Sequence, residues 1–597
     1  MLGLNPIVAG IVMAGAVVMV GATPRHAAAG DELAGRTIQA RNHVMTNVPE
    51  VFNGLDVNTF LGADRFYDAG ITGQGAIVAN VEAGHIWDGH ENLTHVSQFA
   101  HHPDAWGSST ADLYDRHATW AGGHLGGRNS LTDGAVGAWE TGLAPGADLR
   151  SGALATQWNG GAYSLSFSIN ANTFNGAYTP YFGTADVVNS SFGFQDSDAN
   201  SFFAVALDGY ANDSPGTTFV ASAGNSNLDP WLDPFNNVGA PAAGYNSIAV
   251  AALQNANDFD QVAAFSSRGP QDYSDPVNGV VSEVRSPVDI AAPGTNLTAP
   301  YYGGQTGGND ASLVGSPDPP SVTTDPSRYS ISVAGTSFSA PIVAGGAALL
   351  HSAQANDVVL STHADADDTR VIKAVLLNAA DKVDSTTGQA WDNGQTIVGG
   401  VVTTTQSLDY AVGAGRMNLD RAYDQYIAAG TRDVPGPSGA TVTGIGWDYG
   451  TVTEGASNHY PIGTALVGGT DFTVTLDWFR ERSYDPATFD PDDDPDDIAQ
   501  ANLDLFVRDL GTGELVARSI STYNVVEHLH FEIPSTGLYQ IEVDYVGDLF
   551  DRSGGTHLSE EYGLAWAGTI VPEPATLVLI ALGAAMCFKP RRRRAAA

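Results

Sequence analysis

The chain has 597 residues, 43% of them apolar, which is ample for packed cores and excludes global disorder. Its charge is lopsided: 26 Lys and Arg against 66 Asp and Glu leave a net charge of −40, a surface that repels phosphate backbones and excludes a nucleic-acid binder. The single cysteine, Cys587, excludes an internal disulfide framework and any multi-cysteine metal site.

Residues 7–20 form a 14-residue apolar run, shorter than the roughly 20 residues that span a bilayer. Arg25 and the small residues Ala27-Ala28-Ala29 follow, as a signal peptidase requires. Residues 1–29 are therefore expected to be a signal peptide, and 30–58 a leader or linker. From 59 to 430, short apolar runs at 76–81, 186–189, 218–221 and 247–252 alternate with helical patterns at 200–210, 339–351, 369–380 and 417–428. Strands alternating with helices predict an α/β unit, its parallel sheet covered on both faces. The Pro/Gly-rich stretch 431–440 reads as a linker. Residues 441–570 show period-2 alternation at 472–478, 503–508, 528–533 and 539–545, which predicts an all-β sandwich.

The last segment, 571–597, joins Pro572-Glu573-Pro574 to a second apolar run and a terminal cluster of Lys589 and Arg591 to Arg594. This arrangement resembles the PEP-CTERM sorting signal. The resemblance implies export, a transmembrane tail that tethers the protein at first, a sorting enzyme of the exosortase type as partner, and a destination in the cell envelope, at the cell surface or outside it. The basic cluster would stay cytoplasmic.

Five segments of the α/β part carry candidate chemistry. The strand at 77–81 ends in Glu82, an acid at the position where α/β sites are built. His117 sits among small residues in His117-Ala118-Thr119-Trp120-Ala121-Gly122-Gly123. Asn189-Ser190-Ser191-Phe192-Gly193 is a strand end with backbone open to a peptide. Ala223-Gly224-Asn225 places an amide at another strand end. Gly335-Thr336-Ser337-Phe338-Ser339-Ala340-Pro341 puts the Ser337 hydroxyl at a helix N-terminus, where the dipole favours negative charge, with Pro341 expected in the first turn.

Together these motifs, with Phe265 to Pro270, Asp289 to Gly294 and Gly413 to Asn418, resemble the subtilisin-like serine peptidases, the subtilases, over about 59–430. The resemblance implies a subtilisin-like catalytic domain followed by a sandwich similar to pre-peptidase C-terminal domains. It implies an exported serine endopeptidase working through an acyl-enzyme. Ser337 would be the nucleophile, His117 the base, Glu82 the acid and Asn225 the oxyanion donor with the Ser337 amide. Ser191, Phe192, Gly193, Ala223 and Gly224 would line the substrate site. A protein or peptide is the implied substrate, and the chemistry requires no cofactor. Small residues at 190–191 and 221–224, with no acid placed to attract Lys or Arg, predict apolar or aromatic residues before the cut.

This sequence departs from the family pattern at three places. Glu82 stands where the family has Asp, Ala118 where Gly is usual, and Trp120 where His is usual. The extra methylene moves the carboxylate by about 1.5 Å, and misplacement by about 1 Å costs roughly a hundredfold in rate. Asp88 is the alternative acid. These departures motivate the rival reading of a catalytically impaired surface or matrix binding protein on the same fold. The His-rich stretch at 85–102 reads as a structural turn, and no metal ligand is assigned there. The acid run 490–497 is the candidate for structural Ca²⁺, although its two prolines and irregular spacing favour a solvated loop. The sandwich is the candidate for contact with envelope or extracellular polysaccharide.

Overall fold

The computed structural model describes residues 44–45, 54–106, 109–128, 141–158, 167–227, 237–254, 259–300, 302, 329–384, 389–434, 439–486 and 496–572. Both terminal apolar runs, the basic cluster, Cys587, the insertion at 303–328 and the acid run before Asp496 lie outside the described residues. Among the described residues no helix is long and apolar enough to cross a membrane.

The expected parallel sheet is present. Its strands are β1 (Ile77–Glu82), β2 (Gln98–His101), β3 (Asp148–Ala153), β4 (Val187–Ser190), β5 (Thr218–Ser222), β6 (Ile248–Gln254), β7 (Gln261–Val262) and β8 (Ile290–Pro293). The order is β7-β6-β5-β4-β1-β3-β2, with β8 also paired to β6, and every pairing but β6 with β7 is parallel. The chain builds outward from β1 to β3 and β2, then returns to lay β4 on the other side. That reversal opens a crevice at the carboxyl ends of β1 and β4, where α/β sheets bind ligands. β1, β4 and β5 are buried almost throughout, because helices cover both faces.

Four helices matter for the site and its support: α1 (Arg116–Gly126), α2 (Phe202–Asp213), α3 (Thr336–Asn356) and α4 (Thr369–Ala379). α3 is buried over most of its length, as its run of Ala, Gly, Val and Leu requires. Pro341 does not fall in the first turn. The helix begins at Thr336, so Pro341 lies in the second turn and leaves the Ser337 carbonyl without an i+4 amide. The earlier start has a cause: Asn225 Oδ1 accepts from the Thr336 amide at 2.9 Å and recruits it into the helix.

The C-terminal part forms two further sheets. One runs Thr396–Val398, Val401–Thr404, Leu515–Ser519, Asp496–Asp509, Tyr539–Asp551, Ser457–Pro461, with Glu481–Ser483 paired to Asp496–Asp509. The other runs Thr431–Arg432, Ile445–Thr453, Ser559–Gly568, Asp471–Trp478, Val526–Glu532. Thr396 to Thr404 thus joins a sheet built mainly from residues beyond 456, and Thr431 pairs with Gly446. α4 lies against the strands Ser559–Gly568 and Asp471–Trp478. The approach is close: a Cβ on Gly563 would stand 2.2 Å from the Arg370 carbonyl. Trp447, Val526 and Ala565 belong to the same apolar cluster as β6 and α3, so one core crosses the junction.

The C-terminal part holds a buried charge knot. His557 faces Asp548 at 3.0 Å, Glu560 at 3.2 Å and Glu481 at 3.8 Å. Burial works against its charge, but Glu560, Asp548 and Glu481 outweigh it and raise its pKa to about 9. A raised folded-state pKa stabilises the fold fully below the unfolded value near ~6.5 and loses that contribution as pH climbs through 9. The melting temperature is therefore expected to fall between pH 7 and pH 10, and His557→Gln should flatten that part of the profile. An unchanged slope in the variant would remove His557 as its source.

Candidate active site

The loop after β1 pins the start of α1. The His85 amide donates to the Leu113 carbonyl at 2.7 Å, and the Asp115 amide donates to the His85 carbonyl at 2.9 Å. Asp115 then caps α1 by accepting from the Ala118 amide, which puts His117 in the first turn facing the end of β1. Asn80, a polar residue inside an apolar strand, donates to the Ala118 carbonyl at 3.2 Å and accepts from Asn189 of β4 at 2.7 Å. Sequence reasoning passed over Asn80. Its signal was present, since a buried amide in a strand must find partners.

Glu82 reaches His117 by this route. Glu82 Oε2 lies 3.2 Å from His117 Nδ1, and Oε1 accepts from the Ser191 amide at 3.2 Å. Both side chains are buried. Burial disfavours the imidazolium, yet the carboxylate beside it holds the His117 pKa above its ordinary value. Asp88, the alternative acid, accepts instead from the Tyr114 hydroxyl at 2.7 Å.

Ser337 stands on the first turn of α3. α3 packs against α1, and the ring of the next residue, Phe338, lies 5.6 Å from the His117 ring. No hydrogen bond joins Ser337 to His117 among the described residues. Such bonds are often long without substrate. The Thr336 amide is taken by Asn225 Oδ1, and the Phe338 amide by the Gly335 carbonyl at 3.1 Å. The Ser337 amide between them takes no partner among the described residues.

Asn225 is held at its oxygen. Oδ1 accepts from both the amide and the hydroxyl of Thr336, at 2.9 and 3.0 Å, so Nδ2 points the other way. Gly224, at φ of +109°, donates its amide to Thr336 Oγ1 at 3.1 Å. Thr336 thus ties the amide-bearing strand end to the serine helix, a role the sequence left unassigned. The Ala223 amide donates to the Val250 carbonyl and the Gly224 carbonyl accepts from the Ser267 amide, so the backbone of these two residues is already engaged within the chain. Beyond Ser191, Phe194 pairs with Ala240 in both directions. The backbone of Phe192 and Gly193 makes no bond within the chain among the described residues.

A narrow cleft with room for about one water opens beside Glu82 and His117, lined by Trp158, Phe167, Ser191 and Phe192 among others. Trp158 and Phe167 come from a short hairpin, Gln157–Trp158 with Phe167–Ser168, that the sequence did not announce. Of the His-rich stretch, His85 meets His101 at 3.0 Å and Ser151, while His95 reaches the Gly126 carbonyl. Among the described residues no group of three or more His, Cys, Asp or Glu is placed to hold a metal ion. Asp497, the last acid of the run at 490–497, is held by Arg480 and Arg482.

The model of the subtilase family matches residues 75–414, more than half of the chain. The chain belongs to the subtilase family. Its parallel sheet covered by helices is that of the subtilisin-like α/β domain, and the subtilases are a family of serine peptidases. In this subtilase the residue facing His117 is Glu82, and the positions after His117 carry Ala118 and Trp120. No curated protein matches its sequence. Among solved structures, the serine protease of Aeromonas sobria aligns at a TM-score of 0.41 with 15% identity, covering 83% of this chain and 89% of that one. The complex of that protease (ASP) with the chaperone (ORF2) aligns at 0.42 with 15% identity, covering 84% and 89%.

The Asn225 amide has a measurable consequence. If Asn225 donates to an oxyanion, Asn225→Ala lowers kcat by about 10²–10³-fold with little change in KM, the size found for an oxyanion donor in subtilisin itself; an unchanged kcat removes it from that role. Equal losses in kcat and kcat/KM would mark an interaction made only in the transition state.

Proposed function

We propose that this chain is an exported serine endopeptidase that cleaves peptide bonds through an acyl-enzyme. The observation that carries this reading is the buried Glu82–His117 pair at the start of a helix packed against α3, whose first turn holds a serine with its own amide unengaged among the described residues. Ser337 Oγ attacks the peptide carbonyl and His117 takes its proton. The tetrahedral oxyanion forms between Asn225 Nδ2 and the Ser337 amide. His117 then gives the proton to the leaving amine, and water repeats the cycle to release the acid. Glu82 holds the imidazole through Nδ1 and offsets the charge it gains.

The substrate backbone adds along Phe192 and Gly193, whose peptide groups are open. The aromatic lining of the cleft at Trp158, Phe167 and Phe192 offers an apolar surface, which favours an apolar or aromatic side chain on the acyl side. Export, sorting by an exosortase-type enzyme and delivery to the envelope or beyond rest on the two terminal segments. The sandwich directs the enzyme to its substrate or to envelope polysaccharide.

A fluorophosphonate probe tests the reading. Wild-type protein should be labelled at Ser337 and Ser337→Ala should not. The rival, a binding protein on the same fold, draws on the missing Ser337–His117 bond, and predicts peptide binding with no labelling in either.

A further inference from the structure

The residue after the nucleophile is large where its helix is small. α3 opens Thr336-Ser337-Phe338-Ser339-Ala340, and Phe338 is fully buried. Its ring meets three rings of α1: His117 at 5.6 Å between centroids, Trp120 at 5.9 Å and His124 at 5.7 Å. Positions 117, 120 and 124 are three and four residues apart and form one stripe along the helix. Phe338 therefore packs against the stripe that begins with the base, while its neighbour in sequence carries the nucleophile. The Arg116 guanidinium lies over the Trp120 ring, 5.0 Å from its centroid, and closes the cluster.

The hydrogen bond alone leaves the imidazole under-determined. Nδ1 is held at 3.2 Å, beyond the roughly 2.7–2.9 Å of a strong charge-assisted bond. A glutamate brings its carboxylate on one more rotatable bond than an aspartate, so the acceptor itself has more freedom. One bond at Nδ1 locates a single ring atom and leaves the ring free to tilt about it. Close contact across the ring face removes that tilt. His124 adds no charge to the cluster, because burial pushes it down to about 3 and keeps it neutral, so Arg116 is the charge beside these rings.

We propose that Phe338, clasped by Trp120 and His124, is a positioning residue that sets the plane of His117 against Ser337 and compensates for the longer acid Glu82. The inference rests on the reading of Ser337 and His117 as nucleophile and base.

The test uses the full chain, with wild type measured first. Readouts are the rate of fluorophosphonate inactivation, and kcat and KM on a fluorogenic peptide, for variants whose melting temperature shows them folded. Phe338→Ala is expected to lower inactivation rate and kcat by about 10²-fold, with KM within about threefold of wild type. Phe338→Met, which refills the volume, should recover most of the loss. In a Glu82→Asp background the same Phe338→Ala step should cost less than about tenfold, the non-additivity expected of coupled residues. If Phe338→Ala does not fold, Trp120→Leu opens the clasp from the other side and should lower kcat about tenfold at unchanged KM. A folded Phe338→Ala or Trp120→Leu with wild-type kinetics overturns the inference. So does an equal loss from Phe338→Ala in the wild-type and Glu82→Asp backgrounds. Wild-type protein inert to the probe is a different failure, visible before any substitution, and overturns the catalytic reading together with this inference.

Discussion

Glu82→Ala is expected to lower kcat/KM by about 10⁴-fold, the size that follows loss of the acid in serine peptidase triads. Three things go at once. His117 Nδ1 loses its acceptor at 3.2 Å, so the ring no longer prefers the tautomer that leaves Nε2 free to take a proton. The imidazolium formed during reaction loses the opposite charge that offsets burial. The Ser191 amide, just past the end of β4, loses its acceptor. The pH profile gives an independent check. With Glu82 gone, burial and Arg116 act on His117 against Asp115 alone, and its pKa should move downward. The acid limb of wild-type activity should lie above the range of free imidazole, and its midpoint should drop in the variant. The raised pKa also means that the pair's contribution to stability is complete below about 6.5 and is lost as pH rises through the folded value. Unchanged activity in Glu82→Ala would remove Glu82 from the site.

Arg482→Ala is expected to destabilise the whole protein by about 3–5 kcal/mol, because it strands buried carboxylates. Arg482 is buried on the strand Glu481–Ser483 of the C-terminal sheet. Its Nη1 meets Asp208 of α2 at 2.9 Å and its Nε meets Asp497 at 2.6 Å. Arg480 joins the same Asp497 at 2.8 Å, and its backbone exchanges bonds with the Asn246 side chain beside β6. Lys373 of α4, equally buried, lies between Asp289 near β8 and Asp477 of the C-terminal part, at 3.2 and 3.3 Å. Burial alone would lower the Lys373 pKa, but these two carboxylates raise it, so it stays charged. The ion pairs therefore bridge the α/β part and the sandwich, and one apolar core crosses the same junction. A single cooperative urea transition for both parts is expected in wild type. In Arg482→Ala its midpoint should drop with the slope unchanged. Two separate transitions in wild type would show the junction to be weaker than its contacts imply.

Much of this protein was legible from local pattern. The apolar runs at 76–81, 186–189, 218–221 and 247–252 announced β1, β4, β5 and β6, since strands covered on both faces need unbroken apolar sequence. The motifs at Glu82, His117, Asn225 and Ser337 announced the family. Other features were hidden because their cause lies far along the chain. Pro341 falls in the second turn of α3 because Asn225, more than a hundred positions earlier, captures the Thr336 amide. The hairpin Thr396 to Thr404 looks like part of the α/β unit in sequence, yet it pairs with Leu515–Ser519.

Composition and spacing by themselves determined an acidic chain with essentially no cysteine chemistry and a parallel α/β unit before a β-rich one, and the motifs added a resemblance to the subtilases. These depend on neighbours two to four positions apart, which set strand alternation, helix faces and motif spacing. Only the tertiary structure decided which acid faces His117, Glu82 at 3.2 Å or Asp88 bound to Tyr114. It alone placed Phe338 against the base and joined Arg482 to Asp208. The physical reason is common to all three: each contact links residues on separate elements, and its geometry exists only once the sheet order and the junction with the C-terminal part have formed.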